Sequence, residues 1–199
     1  MAQYDGSHDF NHIERVLGLA HVLRKQEPKA YEKDIVTLAA LLHDVGDRKY
    51  LKPGQVSKTM VRDVLLQMGA GQQLAERIQE IVNCVSYSSE IKPDGLQKIY
   101  DCIEKYGREI EVVQDADRLD AIGAVGIGRC FAFGGSKGRG LQDSIDHFLD
   151  KLERLGGMMK TQLGREMARE RTEKIVWMRS NWQWENEEAM KGLEGLTLD

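Results

Sequence analysis

Apolar residues recur every three or four positions along most of the chain, which is the spacing of amphipathic helices. The first such segment covers residues 10–26 and carries Ile13, Val16, Ala20 and Leu23 at helical spacing. We therefore expect an amphipathic helix here, with its apolar stripe facing a core.

The next segment, over residues 32–46, is apolar on most of its faces. This pattern predicts a helix at the centre of the domain, because a helix that is apolar nearly all round is normally buried. Gly46 is a plausible stop signal for it. The apolar residues of the segment are Ile35, Val36, Leu38, Ala39, Leu41, Leu42 and Val45.

The rest of the chain continues in the same way, with Ser57 as a candidate N-cap for the third helix. We expect a polar turn region at 86–95 and a mobile glycine-rich loop at Gly134–Gly140. No alternating strand or linker stands out, so the sequence predicts an all-α fold. We assign residues 1–199 to a single domain, with its core at about 5–180 and a C-terminal helix reaching about 190. Two further helical segments carry apolar residues from Met60 to Met68 and from Leu74 to Val85. The remaining segments cover about 96–106, 109–133, about 142–155 and 161–190.

Composition supports this interpretation. The chain has 199 residues, 41% hydrophobic and 30% charged, which suits a globular protein with a substantial core. Only 3 prolines are present, which favours helix. The net charge of −4 and the lack of a long basic run argue against binding to a nucleic-acid polymer. A small anionic substrate, however, needs only a local basic pocket.

Other features of the sequence indicate the cellular compartment and the partners of the protein. No apolar run approaches the roughly 20 residues of a membrane span, and the first residues lack the pattern of a signal peptide. Cys84, Cys102 and Cys130 are widely spaced and odd in number, which indicates reduced core thiols. We predict a cytoplasmic protein with no membrane partner, present as a monomer or a homodimer.

Two side chains of the kind that bind metals, His43 and Asp44, are adjacent at the end of the apolar segment. Burying two such groups is costly unless something pairs with them. His12 lies on the preceding helical segment, and an acidic cluster follows far downstream. Histidine nitrogens and carboxylate oxygens from three segments suit a divalent metal that promotes hydrolysis. The alternative is a buried hydrogen-bond network without metal, in which each group would need its own partner. The acidic cluster consists of Asp115, Asp117 and Asp120.

A second histidine–aspartate pair, His8-Asp9, lies in a polar lead-in. Its simplest explanation is a solvated N-terminal helix cap. His21 and His147 are interpreted as structural histidines, and the three tryptophans near the C-terminus as core or interface residues.

The ordered set formed by His12, the run Ala-Ala-Leu-Leu-His-Asp-Val-Gly-Asp and the later Asp-Ala-Asp-Arg-Leu-Asp resembles the signature of the HD-domain metal-dependent phosphohydrolases. The lead-in Ser-His-Asp-Phe-Asn-His and the loop Gly-Gly-Ser-Lys-Gly-Arg resemble the small stand-alone branch of that family. The resemblance covers about residues 5–180. It implies a helical fold around a divalent ion and hydrolysis of phosphoester or phosphoanhydride bonds, with nucleoside triphosphates as the expected substrates.

The resemblance also implies the metal ligands His12, His43, Asp44 and Asp117. Helical geometry alone does not choose Asp117, because Asp115 and Asp120 flank the same apolar stripe; these two are assigned to supporting contacts or to ion pairs with Arg118. The helix over 71–88 offers no histidine for a second ion, which favours one metal. Nitrogen and oxygen ligands favour Mn²⁺, with Mg²⁺, Fe²⁺, Co²⁺ or Ni²⁺ as alternatives.

Cations near the ligands are candidates for holding phosphates. Arg15 and Lys49 are assigned to catalysis with Asp44, and Asp47 is a candidate acid or base for the attacking water. The alternative for these charges is an ordinary solvated surface. Substrate binding is assigned to Lys58, Arg48, Lys137, Arg139 and His8, with Lys52 as a further cation.

The sequence thus predicts cleavage of (deoxy)nucleoside triphosphates to monophosphate and pyrophosphate. Two alternatives keep the same metal site: a nucleoside monophosphate phosphatase and a cyclic nucleotide phosphodiesterase. A third, of a different class, is a metal- and nucleotide-binding sensor without turnover.

Overall fold

The structure is a computed structural model that describes residues 9–46, 51 and 56–194. Within those residues it is helical and contains no strand, which confirms the predicted all-α fold. The helices are α1 (Phe10–Arg24), α2 (Lys33–Leu42), α3 (Met60–Gln67), α4 (Gln72–Val85), α5 (Tyr87–Glu90), α6 (Gly95–Tyr106), α7 (Glu109–Asp120), α8 (Gly123–Ser136), α9 (Leu141–His147), α10 (Glu153–Leu155) and α11 (Gln162–Lys191).

The most enclosed of the long helices is α7, which packs against α1, α2, α4, α8 and α11. Its apolar residues Val112, Val113, Ala116 and Leu119 are fully buried, and so are several polar side chains of the same helix. The predicted central segment, α2, packs against α1, α4 and α7. Buried polar side chains are uncommon in a core, so α7 has a role in addition to packing.

Several helix ends differ from the sequence prediction, and the first lies beside His43. Helix α2 ends at Leu42, so His43 to Gly46 form a turn in which Gly46 adopts φ 83°. Ser57 is not the N-cap of α3, because α3 begins at Met60 and Thr59 precedes it. The Ser57 hydroxyl instead donates to the Gly46 carbonyl at 2.5 Å. That bond joins the residues after His43-Asp44 to the start of the next helical segment.

Two other regions also differ. The segment over 109–133 contains two helices, since the backbone breaks at Ala121-Ile122 before Gly123, which has φ 74°. The glycine-rich stretch 134–140 is not a loop throughout, because α8 continues to Ser136. The turn region 86–95 contains the short helix α5, whose Glu90 is buried.

The described residues include no helix that is both long enough and apolar enough to cross a membrane. The longest helix, α11, runs for 30 residues but is rich in charged side chains.

Candidate metal centre

Three neighbouring elements deliver four ligand-type side chains to one point. His12 lies in the first turn of α1, where the Asp9 carboxylate accepts the His12 backbone N–H at 3.0 Å. Asp9 therefore caps α1, as the sequence predicts. His43 is the C-cap of α2 and Asp44 follows in the turn. Asp117 comes from α7, which packs against both α1 and α2.

The donor atoms converge closely. The His12 and His43 Nε2 atoms are 3.2 Å apart. An Asp44 carboxylate oxygen lies 3.4 Å from His12 Nε2, and the other lies 3.6 Å from His43 Nε2. Asp117 Oδ1 is 3.6 Å from His12 Nε2 and 3.7 Å from His43 Nε2. Such spacing is typical of ligand atoms that surround a single ion.

Hydrogen bonds on the far side of each ring determine what faces this point. His12 Nδ1 donates to the Asp120 carboxylate at 2.8 Å, and His43 Nδ1 donates to the Ala40 carbonyl at 2.8 Å. With both Nδ1 atoms protonated, a neutral imidazole presents its Nε2 lone pair inward. Two lone pairs at 3.2 Å repel each other unless a proton or a metal ion lies between them. The residues therefore fit a metal ion.

The carboxylates supply a second observation of fit. Asp44 Oδ2 is buried and makes no hydrogen bond among the described residues, so it is an acceptor without a donor. An oxygen of this kind is costly unless an ion or water meets it.

The electrostatics of the cluster favour positive charge at this point. Burial lowers the pKa of His43, but the adjacent Asp44 and Asp117 carboxylates outweigh it and raise that pKa to about 9. Burial raises the pKa of Asp117, but a hydrogen bond and the charge of His43 outweigh it and leave the carboxyl well below its usual range. Two acids and two imidazoles thus stabilise a cation between them.

The three acids of α7 have separate partners. Asp117 reaches the imidazoles, whereas Asp115 accepts the backbone N–H groups of Lys160 and Thr161 at 2.8 and 2.7 Å. Asp115 thereby fixes the start of α11. Asp120 is buried and accepts from His12, Arg15 and Arg129. Neither Asp115 nor Asp120 forms an ion pair with Arg118 in the structure, because the Arg118 guanidinium pairs with Glu90 instead.

The predicted substrate-binding and catalytic residues are only partly described. His8, Asp47, Arg48, Lys49 and Lys52 lie outside the described residues.

Three other predicted cations are placed. Lys58 is exposed beside Ser57, which contacts Gly46. Lys137 and Arg139 lie over the Phe133 ring, and Lys137 caps the end of α8, about 12 Å along that helix from Arg129. The structure does not bring Lys137 and Arg139 into the ligand cluster.

Sequence reasoning missed Arg129 as a site residue. Its Nη1 donates to Asp120 Oδ2 at 2.9 Å, and its side chain is 14% exposed. Arg129 lies nine positions after Asp120, across the break between α7 and α8, so no helical spacing connects the two residues. The sequence signals were an arginine inside an otherwise apolar and glycine-rich helix, and its place at the end of the run from Asp115 that resembles the family.

Comparison with known proteins agrees with this geometry. The HD domain family model matches residues 9–122, which include all four candidate ligands. The chain therefore belongs to the HD-domain family, and it is a metal-dependent phosphohydrolase of the HD superfamily. Lys137 and Arg139 lie beyond the matched residues.

Individual relatives extend the likeness over most of the chain. YpgQ of Bacillus subtilis, described as an uncharacterized protein, is 43% identical over 168 residues, covering 82% of this chain and 77% of YpgQ. A crystal structure of YpgQ in complex with ADP has a TM-score of 0.72 at 38% identity, covering 90% of both chains. A crystal structure of an HD-superfamily hydrolase from Bacillus thuringiensis has a TM-score of 0.64 at 30% identity, covering 90% of this chain and 87% of that one.

Proposed function

We propose that His12, His43, Asp44 and Asp117 hold one divalent ion, and that the protein hydrolyses nucleoside triphosphates to monophosphate and pyrophosphate. The observation that carries the proposal is the convergence of these four side chains, with both Nε2 lone pairs directed inward by the bonds at Nδ1. Mn²⁺ is the ion we favour, because the ligands are nitrogen and oxygen without thiolate.

When bound, the ion supplies Lewis-acid polarisation of a phosphoryl oxygen and lowers the pKa of a water ligand. The protein residues supply the rest. His12 and His43 are held rigidly at Nδ1, so their Nε2 atoms keep their orientation. Asp44 and Asp117 provide negative charge that balances the ion and accept hydrogen bonds from water near it.

Substrate class rests on two supports. YpgQ, which is similar over 90% of the chain, has been crystallised with ADP, a nucleotide with two phosphates. In this chain, Arg15 and Arg129 both lie against Asp120 beside the ligand cluster, and Lys58 follows Ser57, whose hydroxyl contacts the turn after His43 at Gly46. Two or three phosphates need cations in addition to one metal ion, which favours a polyphosphate over a monophosphate.

Metal content tests the ligand assignment. We expect the wild-type protein to bind one Mn²⁺, and His43→Ala and Asp117→Ala to bind it at least about 10-fold more weakly. His21→Ala is a matched control, because His21 lies on α1 about 13 Å from His12 and contacts Thr37 instead. Elemental analysis after dialysis and calorimetric titration provide the measurement. Unchanged Mn²⁺ binding in both ligand variants would overturn the assignment.

Product analysis tests the reaction. We expect incubation of a nucleoside triphosphate panel with Mn²⁺, stopped by chelation and resolved by chromatography, to give monophosphate and pyrophosphate in equal amounts. Orthophosphate released from a monophosphate, with triphosphates untouched, would instead identify a monophosphatase. Opening of a cyclic nucleotide would identify a phosphodiesterase, and nucleotide binding without any product would identify a sensor.

A further inference from the structure

Asp120 is the most heavily bonded acid near the candidate ligands. Its carboxylate accepts from His12 Nδ1 at 2.8 Å and from Arg15 Nε and Nη2 at 2.7 and 3.1 Å. Arg129 Nη1 donates to the same group at 2.9 Å. The side chain is 1% exposed. Three of these four donors meet Oδ2 and one meets Oδ1, so both oxygens of the carboxylate are engaged in hydrogen bonds within the protein.

The bond to His12 has a consequence for the metal centre. A carboxylate only accepts hydrogen bonds, so His12 Nδ1 must be the donor, and Nε2 is the ring nitrogen that faces His43 and Asp44. Carboxylate partners of this kind orient ligand histidines and increase their basicity. Asp120 therefore fixes the tautomer and the rotation of His12.

The bonds to Arg15 have a different consequence. Nε and Nη2 are both committed to Asp120, and among the described residues no partner of Nη1 is found. The Arg15 side chain is 36% exposed although its anchor is buried. One oxygen, Asp120 Oδ2, accepts from both Arg15 and His12. The guanidinium is thus separated from a candidate metal ligand by a single carboxylate.

The chemistry of Arg15 also suits an anion at this position. Its guanidinium is partly exposed and is anchored to Asp120 beside the ligand cluster. A guanidinium suits the planar recognition of phosphate oxygens.

We propose that Asp120 is a positioning residue with two tasks: it orients His12 toward the metal, and it holds Arg15 where that residue binds a second phosphate. The site thereby selects nucleoside di- and triphosphates over monophosphates. This inference rests on the proposed function, and it assigns the selectivity to Arg15 and the geometry of both residues to Asp120.

Metal affinity tests the first task. Asp120→Asn keeps the shape of the side chain but removes its charge, and we expect Mn²⁺ to bind 10- to 100-fold more weakly by calorimetry. Circular dichroism at unchanged helix content separates this loss from unfolding, since a residue needed only for the fold would not alter metal binding in folded protein. Wild-type Mn²⁺ affinity in folded Asp120→Asn would overturn this task.

Competition by nucleotides tests the second task. The measurement is the inhibition constant of each nucleotide against hydrolysis of a nucleoside triphosphate by the Mn²⁺-loaded protein. We expect Arg15→Ala to raise this constant at least about 10-fold for a nucleoside diphosphate and less than about 3-fold for the monophosphate. Arg15→Lys should recover only part of the loss, because lysine cannot make the paired bonds to Asp120. Lys25→Ala, an exposed cation at the end of α1, is the control. Equal weakening for both nucleotides, or none, would contradict the selectivity.

Different results exclude the metal site and the roles of Asp120 and Arg15. If His43→Ala and Asp117→Ala retain Mn²⁺ binding, the metal site itself is wrong. If those variants lose Mn²⁺ while Asp120→Asn and Arg15→Ala behave as wild type, only the positioning inference is wrong. Should Asp120→Asn fail to fold, Arg15→Ala still decides the selectivity, since Arg15 lies at the surface.

Discussion

Replacing Asp44 by alanine is expected to reduce turnover at least about 1,000-fold while leaving a folded protein. Several kcal/mol of transition-state stabilisation depend on a correctly held ion, and three factors of ten correspond to about 4 kcal/mol. The fold should survive because Asp44 lies in a turn after α2, whose core contacts through Val36, Ala39 and Ala40 remain. Steady-state hydrolysis with Mn²⁺, together with circular dichroism, measures both quantities.

Asp63→Ala is the matched control for this experiment. Asp63 is an acid on α3 that is 48% exposed and pairs with its neighbour Arg62. We expect its activity to stay within about twofold of wild type, since surface substitutions away from a site have small effects. Near-normal turnover in folded Asp44→Ala protein would exclude the ligand from the mechanism.

The largest expected loss of stability comes from Glu90, which is not one of the candidate metal ligands. Its carboxylate pairs with the Arg118 guanidinium and with Lys160 Nζ at 2.6 Å, and it accepts from Gln114 at 3.2 Å. Glu90→Ala leaves the 2% exposed Arg118 without its counter-charge. We expect a loss of about 3 kcal/mol in the free energy of unfolding, since removing one partner of a buried pair is strongly destabilising.

Thermal unfolding provides the measurement. For a chain of this length, about 3 kcal/mol corresponds to a fall in Tm of about 6–12 °C. Glu27→Ala is the control, because Glu27 is exposed and lies 3.7 Å from Arg108; it should cost less than about 1 kcal/mol. If Glu90→Ala and Glu27→Ala were equally mild, the buried network would contribute nothing to the fold.

The same carboxyl predicts a pH dependence. Burial raises the pKa of Glu90, but the ion pairs with Lys160 and Arg118 outweigh it, so the folded pKa lies below the usual value. A lowered pKa contributes stability that is present above the unfolded pKa of about 4.3 and is lost as the pH falls through the folded value. We therefore expect Glu90→Gln to flatten the acid limb of the stability profile. An acid limb with wild-type slope would contradict this assignment.

The features that the sequence predicted correctly depend on the spacing of apolar and polar residues within single helices. The apolar runs determine α1 and α2, and adjacent histidine and aspartate at the end of such a run mark a costly polar insertion. Residue spacing could not identify which of Asp115, Asp117 and Asp120 is a metal ligand, since all three lie within six residues of one helix. The structure distinguishes them by what each meets across the core: a backbone cap at α11, two imidazoles, or a histidine with two arginines.

Contacts between distant parts of the chain account for what could not be predicted. Glu90 stands in a polar stretch that resembles a turn, and its partners Arg118 and Lys160 come 28 and 70 residues later. Arg129 likewise meets Asp120 only because α8 packs against α7. Neither pairing has a periodic signature, because each depends on how helices pack and not on the local sequence.

The most direct test of the metal centre is an anomalous difference map from crystals grown with Mn²⁺ and recorded at the manganese absorption edge. We expect one strong peak bonded to His12 Nε2, His43 Nε2 and carboxylate oxygens of Asp44 and Asp117, with no peak at Asp120. Absence of a peak among these four residues at saturating Mn²⁺, or a peak elsewhere in the chain, would contradict this assignment.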